Sequence, residues 1–162
     1  MKHTISVLVE NHFGVLAKIS GLFSGRGFNI DSLTVGETDD PTVSRMTIVV
    51  SGDDRILEQV CKQLNKLIDV IKVIDFKDSP AACRELLLVK VSVSEPVKRV
   101  ELLDYIRIFD AKVIDLNDKT FLIEVTGDTE RIDSFINTMK GFGIKEIART
   151  GVVALGKVQK SG

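Results

Sequence analysis

The sequence predicts an α+β protein made of two βαββαβ units in tandem, and three observations carry that prediction. Apolar residues switch between a period of two and a period near 3.6 in the same order twice along the chain. The junctions Ser51-Gly52-Asp53 and Thr126-Gly127-Asp128 stand at matching points of the two runs, 75 residues apart. Between the runs, Lys77 to Arg84, with Ser79-Pro80 inside it, breaks both periods and reads as a linker. Each unit is expected to be a ferredoxin-like sandwich, an antiparallel sheet with two helices on one face.

In the first unit, Ile5, Val7 and Val9 alternate with Ser6, Leu8 and Glu10 as a strand does. Val15, Leu16, Ile19, Leu22 and Phe23 then fall on one helical face, which Gly25-Arg26-Gly27 ends. Asn29 to Val35 and Thr42 to Val50 read as strands, with turn chemistry at Asp39-Asp40-Pro41 between them. Gly52-Asp53-Asp54 caps a helix whose face is Ile56, Leu57, Val60, Cys61, Leu64 and Leu67, and Val70 to Phe76 is a fourth strand. In the second unit, Leu86 to Val93 is a strand and Pro96 opens a helix with Val100, Leu103 and Ile106 on its apolar face. Lys112 to Leu116 and Phe121 to Val125 are strands. A helix carrying Ile132, Phe135, Ile136 and Met139 follows, and Ile144 to Leu155 closes the set. The expected boundaries are 1–76, a linker at 77–84, 85–156, and a tail at 157–162. A half of about 75 residues has a small core and leaves a sheet edge and face to cover, so dimerisation through the sheet is expected.

Composition narrows the function. Lys plus Arg is 22 against 23 for Asp plus Glu, a balance that excludes general electrostatic binding to nucleic acid. The element order is also that of RNA-recognition modules, but Val43-Ser44-Arg45-Met46-Thr47-Ile48 offers no aromatic ring for base stacking. The longest apolar runs, Leu86 to Val89 and Val152 to Leu155, are far short of a membrane span, and the N-terminus has no apolar leader, so a cytoplasmic protein is expected. Cys61 and Cys83 with His3 and His12 have no metal-ligand spacing, so no metal is expected. No nucleophile motif, phosphate loop or paired carboxylates appear, and Glu58, Asp69, Glu101 and Glu130 read as solvated positions. The chain is therefore not expected to be an enzyme on its own. An acylphosphatase-like activity shares the element order but needs an anion-binding loop with an arginine and a separate catalytic asparagine.

One junction stands apart. Glu10-Asn11-His12-Phe13-Gly14-Val15-Leu16 joins the first strand to the first helix, whose N-terminus presents free N–H groups and the positive end of the helix dipole. Gly14 permits close approach, and Asn11 can both donate and accept. Asn29 opens the second strand, where strand propensity does not call for asparagine. The corresponding junction of the second unit, Ser94-Glu95-Pro96-Val97-Lys98, has neither asparagine nor glycine. Only the first unit is dressed for a small ligand.

The stretch Ser6-Val7-Leu8-Val9-Glu10-Asn11, with Gly14-Val15-Leu16, Gly21-Leu22-Phe23-Ser24, Arg26-Gly27-Phe28-Asn29-Ile30, Ser32-Leu33-Thr34-Val35 and Asp40-Pro41 through Ser44-Arg45-Met46-Thr47-Ile48, closely resembles the small regulatory subunits of acetohydroxyacid synthase, also called acetolactate synthase. Ala148-Arg149-Thr150-Gly151-Val152-Val153-Ala154-Leu155 is similar to that family's ending. The resemblance implies an N-terminal ACT domain, the amino-acid-sensing form of the ferredoxin-like fold, followed by an ACT-like regulatory domain. It implies a partner, a separate catalytic subunit carrying thiamine diphosphate, magnesium and FAD, with no cofactor on this chain. It further implies activation of that subunit and feedback inhibition by valine in branched-chain amino acid biosynthesis. The effector is expected between two ACT domains of a homodimer, with Asn11, Gly14, Val15, Leu16, Asn29 and Ile30 matching the effector-site motif. A free-standing ACT-domain regulator of another target is the alternative.

Overall fold

The computed structural model describes residues 1–77 and 79–159, and the chain forms two compact units. Asp78 of the expected linker and residues 160–162 of the expected tail lie outside the described residues. The first unit holds Met1–Ala82 together with the segment from Val152 onward, and the second holds Cys83–Gly151. The chain's last described strand thus packs with the first compact unit.

In the first unit, β1 (Lys2–Glu10), α1 (Val15–Gly25), β2 (Asn29–Glu37), β3 (Val43–Ser51), α2 (Asp54–Asn65) and β4 (Val70–Asp75) follow the expected order. The sheet runs β2-β3-β1-β4, antiparallel throughout, with β2 at an edge. The alternation read in β1 sends Ile5, Val7 and Val9 to the helix side, where they meet Ile19 and Phe23 of α1, Met46, Ile48 and Val50 of β3, and Leu57, Val60 and Leu64 of α2. Cys61 packs against this core, and burial, helped by Asp75 and Glu58, pushes its thiol up to about 11, so it is an unreactive packing residue. His3, on the same side of β1, is buried with Nε2 3.0 Å from Asp54 Oδ1, while Lys77 Nζ lies 2.8 Å from the other carboxylate oxygen. The Lys77 hydrogen bond holds the Asp54 carboxyl below its ordinary range.

Asp53 caps α2, its carboxylate accepting from Arg55 N–H at 2.7 Å. The preceding Gly52 is required by packing, since a Cβ there would run into the ring of the buried Phe28. α1 ends at Arg26; Gly27, at φ 76°, turns the chain back so that Phe28 N–H donates to Phe23 C=O at 3.1 Å.

The second unit repeats the plan with β5 (Ala81–Ser92), α3 (Pro96–Ile108), β6 (Lys112–Leu116), β7 (Thr120–Gly127), α4 (Thr129–Met139) and β8 (Ile144–Arg149), its sheet ordered β6-β7-β5-β8. Leu87, Val89 and Val91 of β5 pack with Phe121, Ile123 and Val125 of β7 and with Ile132, Phe135 and Met139 of α4. Glu85 is buried and held by Arg149, with Nε to Oε1 at 2.7 Å and Nη2 to Oε2 at 3.2 Å, and Arg149 also reaches Asp133 at 2.8 Å.

Three expectations are corrected. On α3 the buried stripe is Leu102 and Ile106, flanked by Tyr105 and Phe109; Val100 and Leu103 face outward at 63% and 42% exposure. Both stripes have helical spacing, and the one with two aromatic rings fills the core. β5 begins at Ala81, inside the stretch expected as linker, and its first two residues fall with β9 (Val153–Gly156) in the first unit. The closing segment 144–155 is two strands, β8 and β9, separated by a turn in which Gly151 takes φ 84°.

Candidate functional site

The β1–α1 junction places Asn11, Gly14, Val15 and Leu16 together at the N-terminus of α1. Glu10 ends β1, its N–H bonded to Asp69 C=O at 2.8 Å, and Asn11 N–H donates to Thr42 C=O at 2.7 Å. Asn11 does not cap the helix. Its Nδ2 donates to Pro41 C=O at 3.1 Å and to Glu37 Oε1 at 3.3 Å, which ties the junction to the β2–β3 loop. That loop is itself braced: the Asp40 carboxylate accepts from Thr42 N–H at 2.9 Å and Thr42 Oγ1 at 2.7 Å. The same two contacts, the hydroxyl first, hold the Asp40 carboxyl below its usual value.

Gly14 is the N-cap of α1 at φ 85°, a left-handed conformation that side chains with a Cβ disfavour. No side chain caps this end and its first turn carries no acidic residue. Val15 N–H turns back to His12 C=O at 3.5 Å; the leading N–H groups after it, with the positive pole of the helix dipole, make this end suited to a carboxylate. Val15 is buried in the core, Leu16 is half exposed and Phe13 is fully exposed, so an apolar rim surrounds the polar helix end. His12 Nε2 is 2.9 Å from Glu10 Oε2, and Asp69 is paired with Lys18 at 3.3 Å. Glu10, His12 and Asp69 have potential ligand atoms within 4.8 Å of one another, with Asp69 already paired to Lys18.

Asn29 and Ile30 lie elsewhere. Asn29 is level with Ser51 and, through it, with Lys2 at the opposite end of the sheet, and its Nδ2 donates to Asp31 Oδ1 at 3.3 Å. Ile30 packs against the first core from the side. With Glu10 at the far end of the same strand as Lys2, about 8 steps at 3.3 Å separate the two groups, roughly 26 Å. The structure thus brings Asn11, Gly14, Val15 and Leu16 together, and Asn29 with Ile30, but not the two groups with each other within one chain. The sequence reading missed Glu37, Pro41 and Thr42, which brace Asn11 from about 30 residues away; only the turn signal at Asp40-Pro41 marked their neighbourhood.

Residues 5–72 match the family model described as the AHAS small subunit-like ACT domain, and residues 84–158 match that described as the small subunit of acetolactate synthase. A protein of Archaeoglobus fulgidus named as a probable acetolactate synthase small subunit is 55% identical over 155 residues, covering 96% of each chain. The acetolactate synthase small subunit of Aquifex aeolicus is 51% identical over 95% of this chain and 80% of its own. Among solved structures, the acetolactate synthase small subunit of Thermotoga maritima superposes with a TM-score of 0.88 at 40% identity, covering 98% of this chain and 99% of that one.

Proposed function

The chain belongs to the family of acetolactate synthase small subunits, and from that premise we propose that it binds a separate catalytic subunit, raises its activity and makes it subject to feedback inhibition by valine. Thiamine diphosphate, magnesium and FAD belong to the catalytic chain in this reading. The effector is held between the ACT domains of a homodimer.

The separation of the two residue groups along the first sheet is the observation that supports this most. β2 is an edge strand with one side unpaired in its own sheet. Two copies related by a two-fold axis and joined antiparallel along β2, centred near Leu33, bring Asn29 of one copy level with Glu37 of the other. Glu37 touches Asn11, so Asn29 and Ile30 of one copy then complete the cluster of Asn11, Gly14, Val15 and Leu16 on the other. The helix end and Asn11 take the amino acid's carboxylate and ammonium, and Leu16 with Ile30 accommodates the side chain. Two or three charge-assisted hydrogen bonds of about 1.5–3 kcal/mol each, less the cost of immobilising the ligand, fit the −4 to −8 kcal/mol of a millimolar to micromolar effector. A methylene is worth only about 1–3 kcal/mol in an apolar pocket, so leucine and isoleucine compete with valine.

The test is reconstitution. Adding the protein to a cognate catalytic subunit is expected to raise acetolactate formation and to make it valine-sensitive. Activity unchanged by the protein, with or without valine, refutes the proposal.

A further inference from the structure

The face of the first sheet turned away from its helices carries a row of hydroxyls that the proposed function leaves without a task. Ser32 and Thr34 of β2 alternate with the core-facing Leu33, and Thr34 lies level with Thr47 of β3. All three meet the chain's C-terminal segment within the first unit. Val152 N–H donates to Ser32 Oγ at 2.9 Å, Thr34 Oγ1 donates to Val152 C=O at 2.9 Å, and Ala154 N–H donates to Thr47 Oγ1 at 3.4 Å. Val152 is 7% and Ala154 1% exposed, and Lys157 N–H closes the segment onto Pro80 C=O at 3.0 Å.

Side chains supply what strand pairing would otherwise give, since both backbone groups of Val152 are satisfied by β2 hydroxyls. Two residues earlier, Thr150 N–H donates to Leu86 C=O at 3.1 Å and Thr150 Oγ1 accepts from Leu86 N–H at 3.0 Å, within the second unit. Gly151, at φ 84°, is the one residue between these two sets of bonds. A shift of β2 therefore pulls on a chain segment with little slack, and β2 is the strand that also carries Asn29 and Ile30.

We propose that the Val152–Gly156 strap, clasped by Ser32, Thr34 and Thr47, transmits effector occupancy from β2 to the second unit. This rests on the valine-sensor reading and adds to it residues that touch no effector. The hydroxyls hold the strap, and the strap passes on a displacement of β2 through the one-residue turn at Gly151. Such transmission needs a contiguous element that effector binding displaces, and the strap is physically continuous with β8.

The experiment compares the wild-type chain with Ser32→Ala/Thr34→Val, Ser32→Ala alone and Thr34→Ser, each full length. Valine binding to the chain is measured by calorimetry, and inhibition is measured in the reconstituted holoenzyme. The double variant is expected to bind valine within about threefold of wild type while saturating valine removes less than about half of the activity it removes with wild type. Thr34→Ser, which keeps the hydroxyl, is expected to behave as wild type. Ser32→Ala alone, which leaves the Thr34 clasp in place, is expected to fall between them, and it carries the test if circular dichroism shows the double variant unfolded. Variants that bind valine and are inhibited to the wild-type extent overturn the proposal. A wild-type chain that binds no valine, alone or in the holoenzyme, overturns the sensor reading and this inference with it, an outcome distinct from loss confined to the variants.

Discussion

Replacing Gly14 by aspartate tests whether the ligand's carboxylate sits on the N-terminus of α1. The position is open, with no heavy atom beyond its chain neighbours within 4 Å of the Cβ such a residue would bring, so the added Cβ meets no obstacle. Its backbone stands at φ 85°, which costs a residue with a Cβ about 1–2 kcal/mol, less for aspartate, one of the residues that best tolerate this region. A negative charge at a helix N-terminus returns about 0.3–1 kcal/mol, so the fold is expected to survive nearly unweakened. The ligand fares differently. Two carboxylates about 4–6 Å apart at an effective dielectric constant near 20 repel by about 3–4 kcal/mol, a loss of roughly 100- to 1000-fold in affinity. Gly14→Ala provides the uncharged control: it bears the full backbone strain but is expected to lose no more than about tenfold in affinity. Calorimetric titration with valine gives the affinity, and thermal unfolding shows that the variant is folded. A folded Gly14→Asp chain that binds valine within about threefold of wild type would show that the carboxylate does not sit there.

Three further predictions follow from packing and charge. Gly52→Ala places a methyl against the Phe28 ring and is expected to destabilise by about 1–3 kcal/mol, whereas Gly21→Ala on the open face of α1 is expected to stabilise by about 0.5–1 kcal/mol; opposite shifts in chemical denaturation midpoints check both. Arg149→Met strands the buried Glu85 carboxylate and is expected to cost about 3 kcal/mol, the low end for a buried pair because Arg149 is a third exposed, while Glu85→Leu/Arg149→Met together recovers most of the loss. Asp40, Asp54 and Glu146 all have their carboxyls held below ordinary values, by Thr42, Lys77 and Lys90 respectively. Depressed carboxylates contribute stability that is complete above their unfolded values, about 4, and is lost as pH falls through the folded ones. Unfolding midpoints should therefore be level from about pH 6 to 8 and decline below about pH 4; a maximum near pH 4 would contradict this.

Much of the fold was legible because local pattern and tertiary need agree. Ile5, Val7 and Val9 alternate and are buried, and the faces of α1 and α2 read in sequence pack except at their margins, where Leu16 and Ile56 are exposed. α3 was misread where they part: Val97, Val100 and Leu103 make one apolar stripe and Leu102, Tyr105, Ile106 and Phe109 another. Spacing cannot rank them; only packing over β5 and β7 does. The strap was invisible for a related reason. Val152-Val153-Ala154-Leu155 continues a strand pattern, and nothing local says that it returns to Ser32, Thr34 and Thr47, more than 100 residues back in the chain. At the site, Gly14 announced its turn because only its own backbone demands glycine. Asn11's partners Glu37 and Pro41 gave no signal, since they matter only once the β2–β3 loop has folded over the junction.

Mixing two variants tests whether one effector site is built from two copies of the chain. Gly14→Asp damages the helix end and Asn29→Ala the distant strand, so each homodimer is expected to lose valine binding. Co-refolded in equal amounts, half of the dimers carry one of each, and in those one of the two sites regains an undamaged helix end facing an undamaged strand. Calorimetry is expected to recover about a quarter of the wild-type stoichiometry at wild-type affinity. No recovery from a mixture shown to form heterodimers, or full binding by the Asn29→Ala homodimer, would contradict it.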